Sequence, residues 1–240
     1  MIVGLANLES DGVPSQRDIR VDLPPMIAKT LTRLLRIGSE SIREAAATIL
    51  KGGLVVYPTD TVYGLGCHPF DKEAVNKVLD VKRRSKGNFP VLVGSIEKAK
   101  ELGEVDGNAE TLALRFWPGP LTIVVSSSAE FPPPIVGTGR MVGLRIPGRT
   151  DTLDLISMCG GSLVGTSANI SGAPSITRAE EALKTFDGKV ELVLDGGSLS
   201  KRPESTVVRV TGKHVDILRE GAISRQEIVM ALRTKVEHRD

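Results

Sequence analysis

The 240 residues are 40% hydrophobic and 25% charged, the composition of an ordinary globular protein, which excludes disorder and fibrous classes and allows one large α/β domain. Lys and Arg number 31 against 29 Asp and Glu, so a formal charge of +2 excludes polyanion binding through net charge alone, and any basic site must be local. No stretch approaches the roughly 18 apolar residues of a membrane span, and the opening MIVGLANLESDGVPSQRD lacks the basic-then-apolar pattern of a leader, so the expectation is a cytoplasmic protein without membrane association.

Residues 1–38, with Pro24-Pro25 and an apolar patch of Ile27, Leu31, Leu34 and Leu35, read as a partly helical extension, and residues 39–240 as the globular unit. Ser41-Ile42-Arg43-Glu44 reads as a capping box for a helix whose face is Ile42, Ala45, Ala46 and Ile49 and whose stop is Gly52-Gly53. Leu54–Tyr57 reads as a buried strand running into the hydroxyl-rich turn Pro58-Thr59-Asp60-Thr61, which Gly64 and Gly66 keep open. Asp71 caps a second helix that ends in the cationic run Lys82-Arg83-Arg84-Ser85-Lys86, suited to the negative end of the helix dipole.

A strand at Val91–Val93 follows, then helices from Ile96 and from Ala109 to Phe116, and the breaker Pro118-Gly119-Pro120. Leu121–Val125 and Val142–Ile146 read as strands, Asp151–Met158 as a helix, Leu163-Val164 as a strand, and Thr166-Ser167-Ala168-Asn169 as a second polar turn. Thr177 and Glu180 pattern as a capping box, strands are expected at Glu191–Leu194, Thr206–Val210 and Val215–Leu218, and Ser224 with Glu227 caps the last helix. Interleaved strands and helices predict an α/β fold built on a single twisted mixed sheet.

Candidate chemistry is narrow. Only three histidines occur, His68, His214 and His238, no serine sits in a G-x-S-x-G elbow, and neither a Walker loop nor a dinucleotide-binding glycine loop is present. Cys67 and Cys159 lack zinc spacing and read as buried, idle thiols. The run from Lys82 to Lys86, followed by Asn88, is either a solvated helix end or an anion site in which Lys supplies a point charge and Arg a planar fork. The clusters Thr59-Asp60-Thr61, Thr166–Asn169 and Ser205-Thr206 suit a small polar ligand at strand exits. Arg145, inside the apolar strand Val142–Ile146, needs a partner, and a ligand carboxylate is a good candidate.

Six ordered segments, Tyr57–Gly66, Lys82-Arg83-Arg84, Phe116–Thr122, Leu144–Pro147, Thr166–Gly172 and Ser205–Val208, resemble the YrdC-like family of threonylcarbamoyl-AMP synthases over residues 39 to 233. The resemblance implies a single-domain catalytic form: a twisted mixed sheet flanked by helices, with a large open cleft. It implies that L-threonine, bicarbonate and ATP, with Mg2+ carried on the nucleotide, give threonylcarbamoyl-AMP and pyrophosphate. The product would pass to a tRNA threonylcarbamoyl transferase for modification next to the anticodon.

The family's K-x-R and S-x-N signature falls on Lys82 and Arg84 and on Ser167 and Asn169, with Lys82 and Arg84 in the catalytic role. Thr61, Arg145 and Ser205 are the implied threonine contacts, and Asn88, Ser175 and Arg219 join the signature residues as ATP contacts. Met141 stands where some relatives carry a hydroxyl residue. Two other readings remain open: a YrdC-like double-stranded RNA- or tRNA-binding protein, which an aromatic content of 3% does not favour, and a carbamoyl-AMP-forming paralogue.

Overall fold

The computed structural model describes residues 31–200 and 203–233. In chain order the elements are β1 (Arg33–Arg36), α1 (Ser39–Leu50), β2 (Val55–Tyr57), β3 (Gly64–Gly66), α2 (Lys72–Lys82), β4 (Val91–Val93), α3 (Ile96–Leu102), α4 (Gly107–Phe116) and β5 (Leu121–Ser126). They continue with β6 (Met141–Arg145), α5 (Thr150–Met158), β7 (Ser162–Val164), β8 (Thr166–Ser167), α6 (Ala179–Phe186), β9 (Leu192–Asp195), β10 (Thr206–Thr211), β11 (His214–Arg219) and α7 (Arg225–Arg233).

The α/β class is found, but the strands divide into two mixed sheets, ordered β1-β9-β2-β3-β8 and β11-β10-β5-β6-β4-β7, where one was expected. Interleaving of elements carries no information about which strands pair, because pairing is decided by contacts far apart in the chain. The two sheets meet where β7 and β8, consecutive in sequence, enter different sheets on either side of Gly165. A Cβ on Gly165 would lie 2.4 Å from Leu92 Cγ, so the crossing requires a residue without a side chain.

Burial explains the elements. Every residue of β2, β3, β4 and β7 is buried, consistent with continuous short apolar runs rather than alternation. One core cluster joins Val56 and Leu65 of the five-stranded sheet to Val91, Ile123, Val142 and Leu144 of the six-stranded one. A second packs Ile42, Ala45 and Ile49 of α1 on Val55, Tyr57, Leu155, Ile156 and Leu192. Each fully buried Leu, Ile or Val of this kind contributes about 1.5–3 kcal/mol. Cys67 and Cys159 are free and buried, and burial pushes both thiols up to about 12, as idle thiols should be.

Several local expectations are corrected. Residues 33–36 form an extended edge strand, parallel to β9 with Arg33 opposite Leu192, rather than part of a helical patch, so the ordered fold includes residues assigned to the extension. Ile27, Pro24-Pro25 and His238 lie outside the described residues. Ser41 is no N-cap: α1 starts at Ser39, and the Ser41 hydroxyl donates to Arg36 O and Gly38 O. Thr177 likewise precedes α6, whose N-cap position is Arg178 with no side-chain cap. Asp71 does cap α2, accepting from Glu73 N and Ala74 N, and Ser224 with Glu227 forms a reciprocal capping box. Gly64 and Gly66 do not hold a turn open. They form β3 against β2, with the Tyr57 ring lying where their side chains would be.

Candidate active site

A cavity of about 500 Å³ opens between the turn after β2 and one face of the six-stranded sheet. Its floor is made by alternate residues of three neighbouring strands: Ser205, Val207 and Arg209 leading into and along β10, Thr122 and Val124 of β5, and Met141, Gly143 and Arg145 of β6. The register sets Val207 opposite Thr122, Arg209 opposite Val124 and Val124 opposite Gly143, so the floor is continuous. Only part of the cavity therefore lies at strand exits. The rest lies over a sheet face, which period-two reading of these strands could have revealed.

At one end stand the three residues expected to hold threonine. Thr61 and Ser205 are buried, and both line the cavity with Arg145. Thr59 Oγ1 accepts from Thr61 N at 3.1 Å and donates to Val62 O at 2.6 Å, which locks the turn. Ser205 Oγ lies 3.0 Å from Thr122 Oγ1.

Arg145 does have a partner within the protein, a carboxylate that the sequence reading had not paired with it. Nη2 donates to Asp60 Oδ1 at 2.6 Å, Nε to Gly119 O at 2.9 Å, and Nη1 reaches Thr61 Oγ1 only at 3.4 Å. Among the described residues three of the guanidinium's five N–H donors are thus engaged, and the others remain for a second anion. Asp60, named in the sequence only as part of the Thr59-Asp60-Thr61 cluster, is what makes a buried arginine tolerable here.

At the other end α2 terminates in Arg83, whose φ of 53° reverses the chain. Lys82 therefore turns inward and Arg84 turns to the cavity wall. Lys82 Nζ donates to Ser167 O at 2.5 Å, Asn169 O at 2.8 Å and Asn169 Oδ1 at 3.0 Å, using all three of its N–H groups. Asn169 Oδ1 also accepts from Ser167 Oγ at 2.7 Å, and its Nδ2 donates to Ala173 O. Burial, and then the Arg84 cation, push the lysine down to about 8, with Glu204 pulling the other way.

Of the ten residues anticipated from the resemblance, Thr61, Arg84, Asn88, Arg145, Ser167, Ser205 and Arg219 line the cavity, as does Met141. Lys82 and Asn169 stand behind the wall, clamping the segment that carries Ser167. Ser175 is turned to Glu204, which it donates to, and Glu204 in turn accepts from Arg219. Sequence reasoning gave no role to Thr122, Glu204 or Arg209, and named Asp60 only within the Thr59-Asp60-Thr61 cluster, without pairing it to Arg145. Glu204 stands next to Ser205, which was singled out, so adjacency was the available signal.

No group of three or more His, Cys, Asp or Glu side chains among the described residues is arranged to hold a metal, and no described helix is long and apolar enough to cross a membrane. Glu204 is the single carboxylate on the described cavity wall. A divalent cation there would be held chiefly by phosphate oxygens of a bound nucleotide.

Residues 47–221 match the Sua5/YciO/YrdC family model, described as telomere recombination. The chain is 40% identical over 195 residues to the threonylcarbamoyl-AMP synthase of Pyrococcus abyssi, covering 80% of this chain and 57% of that protein. It is 35% identical over 201 residues to that of Bacillus subtilis, covering 82% and 58%. It thus spans somewhat under three fifths of the length of these two relatives. The crystal structure of P. abyssi Sua5 complexed with L-threonine superposes with a TM-score of 0.78 at 38% identity, over 84% of this chain and 60% of that one. Fold and sequence agree, and the chain belongs to the Sua5/YciO/YrdC family.

Proposed function

We propose that this protein is an L-threonylcarbamoyladenylate synthase, a nucleotidyltransferase that converts L-threonine, bicarbonate and ATP to threonylcarbamoyl-AMP and pyrophosphate. The observation that carries the reading is one cavity that gathers Thr61, Arg145 and Ser205 with Arg84, Asn88, Ser167 and Arg219 over a continuous sheet floor. It is supported by 40% identity to a threonylcarbamoyl-AMP synthase and by similarity to a structure complexed with L-threonine.

In this reading the spare donors of Arg145 take the threonine carboxylate, and Thr61 and Ser205 orient the rest of the amino acid. The threonine nitrogen and bicarbonate form a carbamate, whose oxygen attacks the α-phosphorus while pyrophosphate leaves. No protein nucleophile is needed. Catalysis rests on alignment of the two reactants and on neutralising phosphate charge, for which Arg84 and Arg219 stand on the wall. Lys82 acts one step back, holding Ser167 and Asn169 in place. Mg2+ would enter with the nucleotide and stabilise the leaving pyrophosphate. The product is a reactive mixed anhydride suited to a tRNA-modifying transferase in the cytoplasm.

The test is adduct formation and pyrophosphate release from ATP, Mg2+ and bicarbonate, with threonine, serine, carbamoyl phosphate or no acceptor. Threonine- and bicarbonate-dependent adduct is expected. Turnover with carbamoyl phosphate alone would move the chain to carbamoyl adenylation, and salt-dependent RNA binding without turnover would leave a binding protein.

A further inference from the structure

The reaction proposed above needs something the residues so far assigned do not supply. Threonine enters as an α-ammonium, which has no lone pair, so a proton must leave before nitrogen can attack bicarbonate. Among the described residues lining the cavity there is no histidine, cysteine or lysine, and Glu204 is the one carboxylate. Asp60 does not line the cavity and is committed to Arg145. Lys82 is behind the wall with its three N–H groups engaged.

Glu204 precedes Ser205, and the Arg219 guanidinium joins the two: it donates to Ser205 O at 2.8 Å, reaches Ser205 Oγ at 3.3 Å and donates to the Glu204 carboxylate. The carboxylate is thus one guanidinium away from the hydroxyl at the threonine end. Ser175 and Arg219 take two of its roughly four acceptor positions, which orients the group while leaving capacity for a further N–H donor. Its backbone is held as well, through Ala222 N to Glu204 O at 2.9 Å.

We propose that Glu204 is the proton acceptor that converts the bound α-ammonium to the attacking amine, an assignment that rests on the threonylcarbamoyl-adenylate reading. One ammonium proton passes to the Glu204 carboxylate. The neutral amine then forms the N–C bond to bicarbonate while the C–OH bond breaks, and the departing hydroxide leaves as water with the amine's second proton. The carbamate is left with its carboxylate ready for the α-phosphorus. Arg145 pairs with the carboxylate of the zwitterion and Glu204 with its nitrogen, so the cavity is complementary to both ends of a free α-amino acid.

The test compares Glu204→Gln with wild type. The amide keeps the shape, offers its oxygen to Arg219 and its NH2 to the Ser175 hydroxyl, which can accept, and loses the basic charge. Adduct formation at saturating ATP and threonine is expected to fall about 10²–10⁴-fold at pH 7. The ratio of variant to wild-type rate should then climb about tenfold per pH unit toward the amine's own pKa, as solvent removes the proton instead. The charges facing Glu204 are Arg219 from β11 and Lys82 from the end of α2. Loss of the Glu204 charge moves Lys82 deprotonation to lower pH, which would depress the ratio as pH rises, so a climbing ratio does not arise from the lysine.

An unchanged rate in Glu204→Gln, or a ratio flat or falling with pH, overturns the assignment. So does weakened ATP binding at unaltered kcat, which would make Glu204 a support for Arg219 only. Should Glu204→Gln fail to fold, Glu204→Asp keeps a carboxylate and is expected to turn over more slowly with a wild-type pH profile, whereas a climbing ratio in that variant overturns the assignment equally. A wild-type protein forming no threonine- and bicarbonate-dependent adduct removes the reaction itself. An active wild type with an equally active Glu204→Gln removes only the proton acceptor.

Discussion

Arg145 and Lys82 are both buried, at 6% and 2% exposure, the first lining the cavity and the second behind its wall, yet they are accommodated in different ways. Arg145 is balanced by the Asp60 carboxylate and keeps donors in reserve. Among the described residues no carboxylate hydrogen-bonds Lys82, and its three hydrogens are spent on two main-chain carbonyls and one amide oxygen. In the proposed reading the first cation takes a ligand and the second serves the frame. A planar group with five donors can do both jobs at once, whereas a three-donor point charge, once saturated, can do only one.

Arg145→Ala is the strongest test of this contrast. It leaves the Asp60 carboxylate buried without its partner and should cost about 3–5 kcal/mol in denaturant unfolding, with threonine-dependent turnover abolished. A paired Arg145→Met, Asp60→Leu variant should recover most of the stability and none of the turnover. Recovery of turnover would break the assignment of Arg145 to the substrate.

Lys82→Met should cost less, about 1–3 kcal/mol, because it leaves neutral acceptors without a donor rather than a bare charge. In steady-state kinetics it should lower kcat more than it raises the KM for ATP, since Ser167 and Asn169 lose their clamp. A loss confined to ATP affinity would instead put Lys82 on the phosphates.

In the proposed reading Thr61 and Ser205 meet the threonine hydroxyl at the Arg145 end and only apolar contact meets its methyl. Serine should therefore be used at a kcat/KM about 10–200-fold below threonine. Competition between the two in one reaction measures this, and rejection of serine far beyond that range would rule out a simple apolar methyl contact.

A last effect is in the pH dependence of stability. Lys82 titrates near 8 in the folded protein against an ordinary 10.5, so between those values the unfolded chain holds a proton that the folded chain has released. The lysine's unfavourable contribution is full below about pH 8 and is relieved as pH rises through the window. The stability of wild type relative to Lys82→Met should accordingly be flat below pH 8 and rise from there to pH 10.5. A difference that stays level throughout would show that the lysine is not held down.

Much of the fold was readable where the cause was local. Asp71 and the Ser224/Glu227 pair capped their helices as expected, because a cap depends on residues within three positions. Ser41 and Thr177 had the same spacing and did not cap, since the preceding backbone entered its helix elsewhere. The cavity residues Thr61, Arg84, Arg145, Ser167 and Ser205 were identified by ordered resemblance, while Asp60 and Glu204, each adjacent to one of them, were not.

By itself the sequence determined the α/β class, nearly all the elements, and most of the polar residues that line one cavity. Only the tertiary structure decided that there are two sheets, that Arg33–Arg36 completes one by pairing with a strand near Leu192, and that the cavity lies over a sheet face. It alone turned Lys82 inward, gave Arg145 the Asp60 carboxylate and set Glu204 between Ser175 and Arg219. Hydrophobic period and capping chemistry act over one or two turns of chain. The partner of a buried charge is chosen by packing among residues scores of positions apart, where the cost of leaving it unpaired outweighs any local preference.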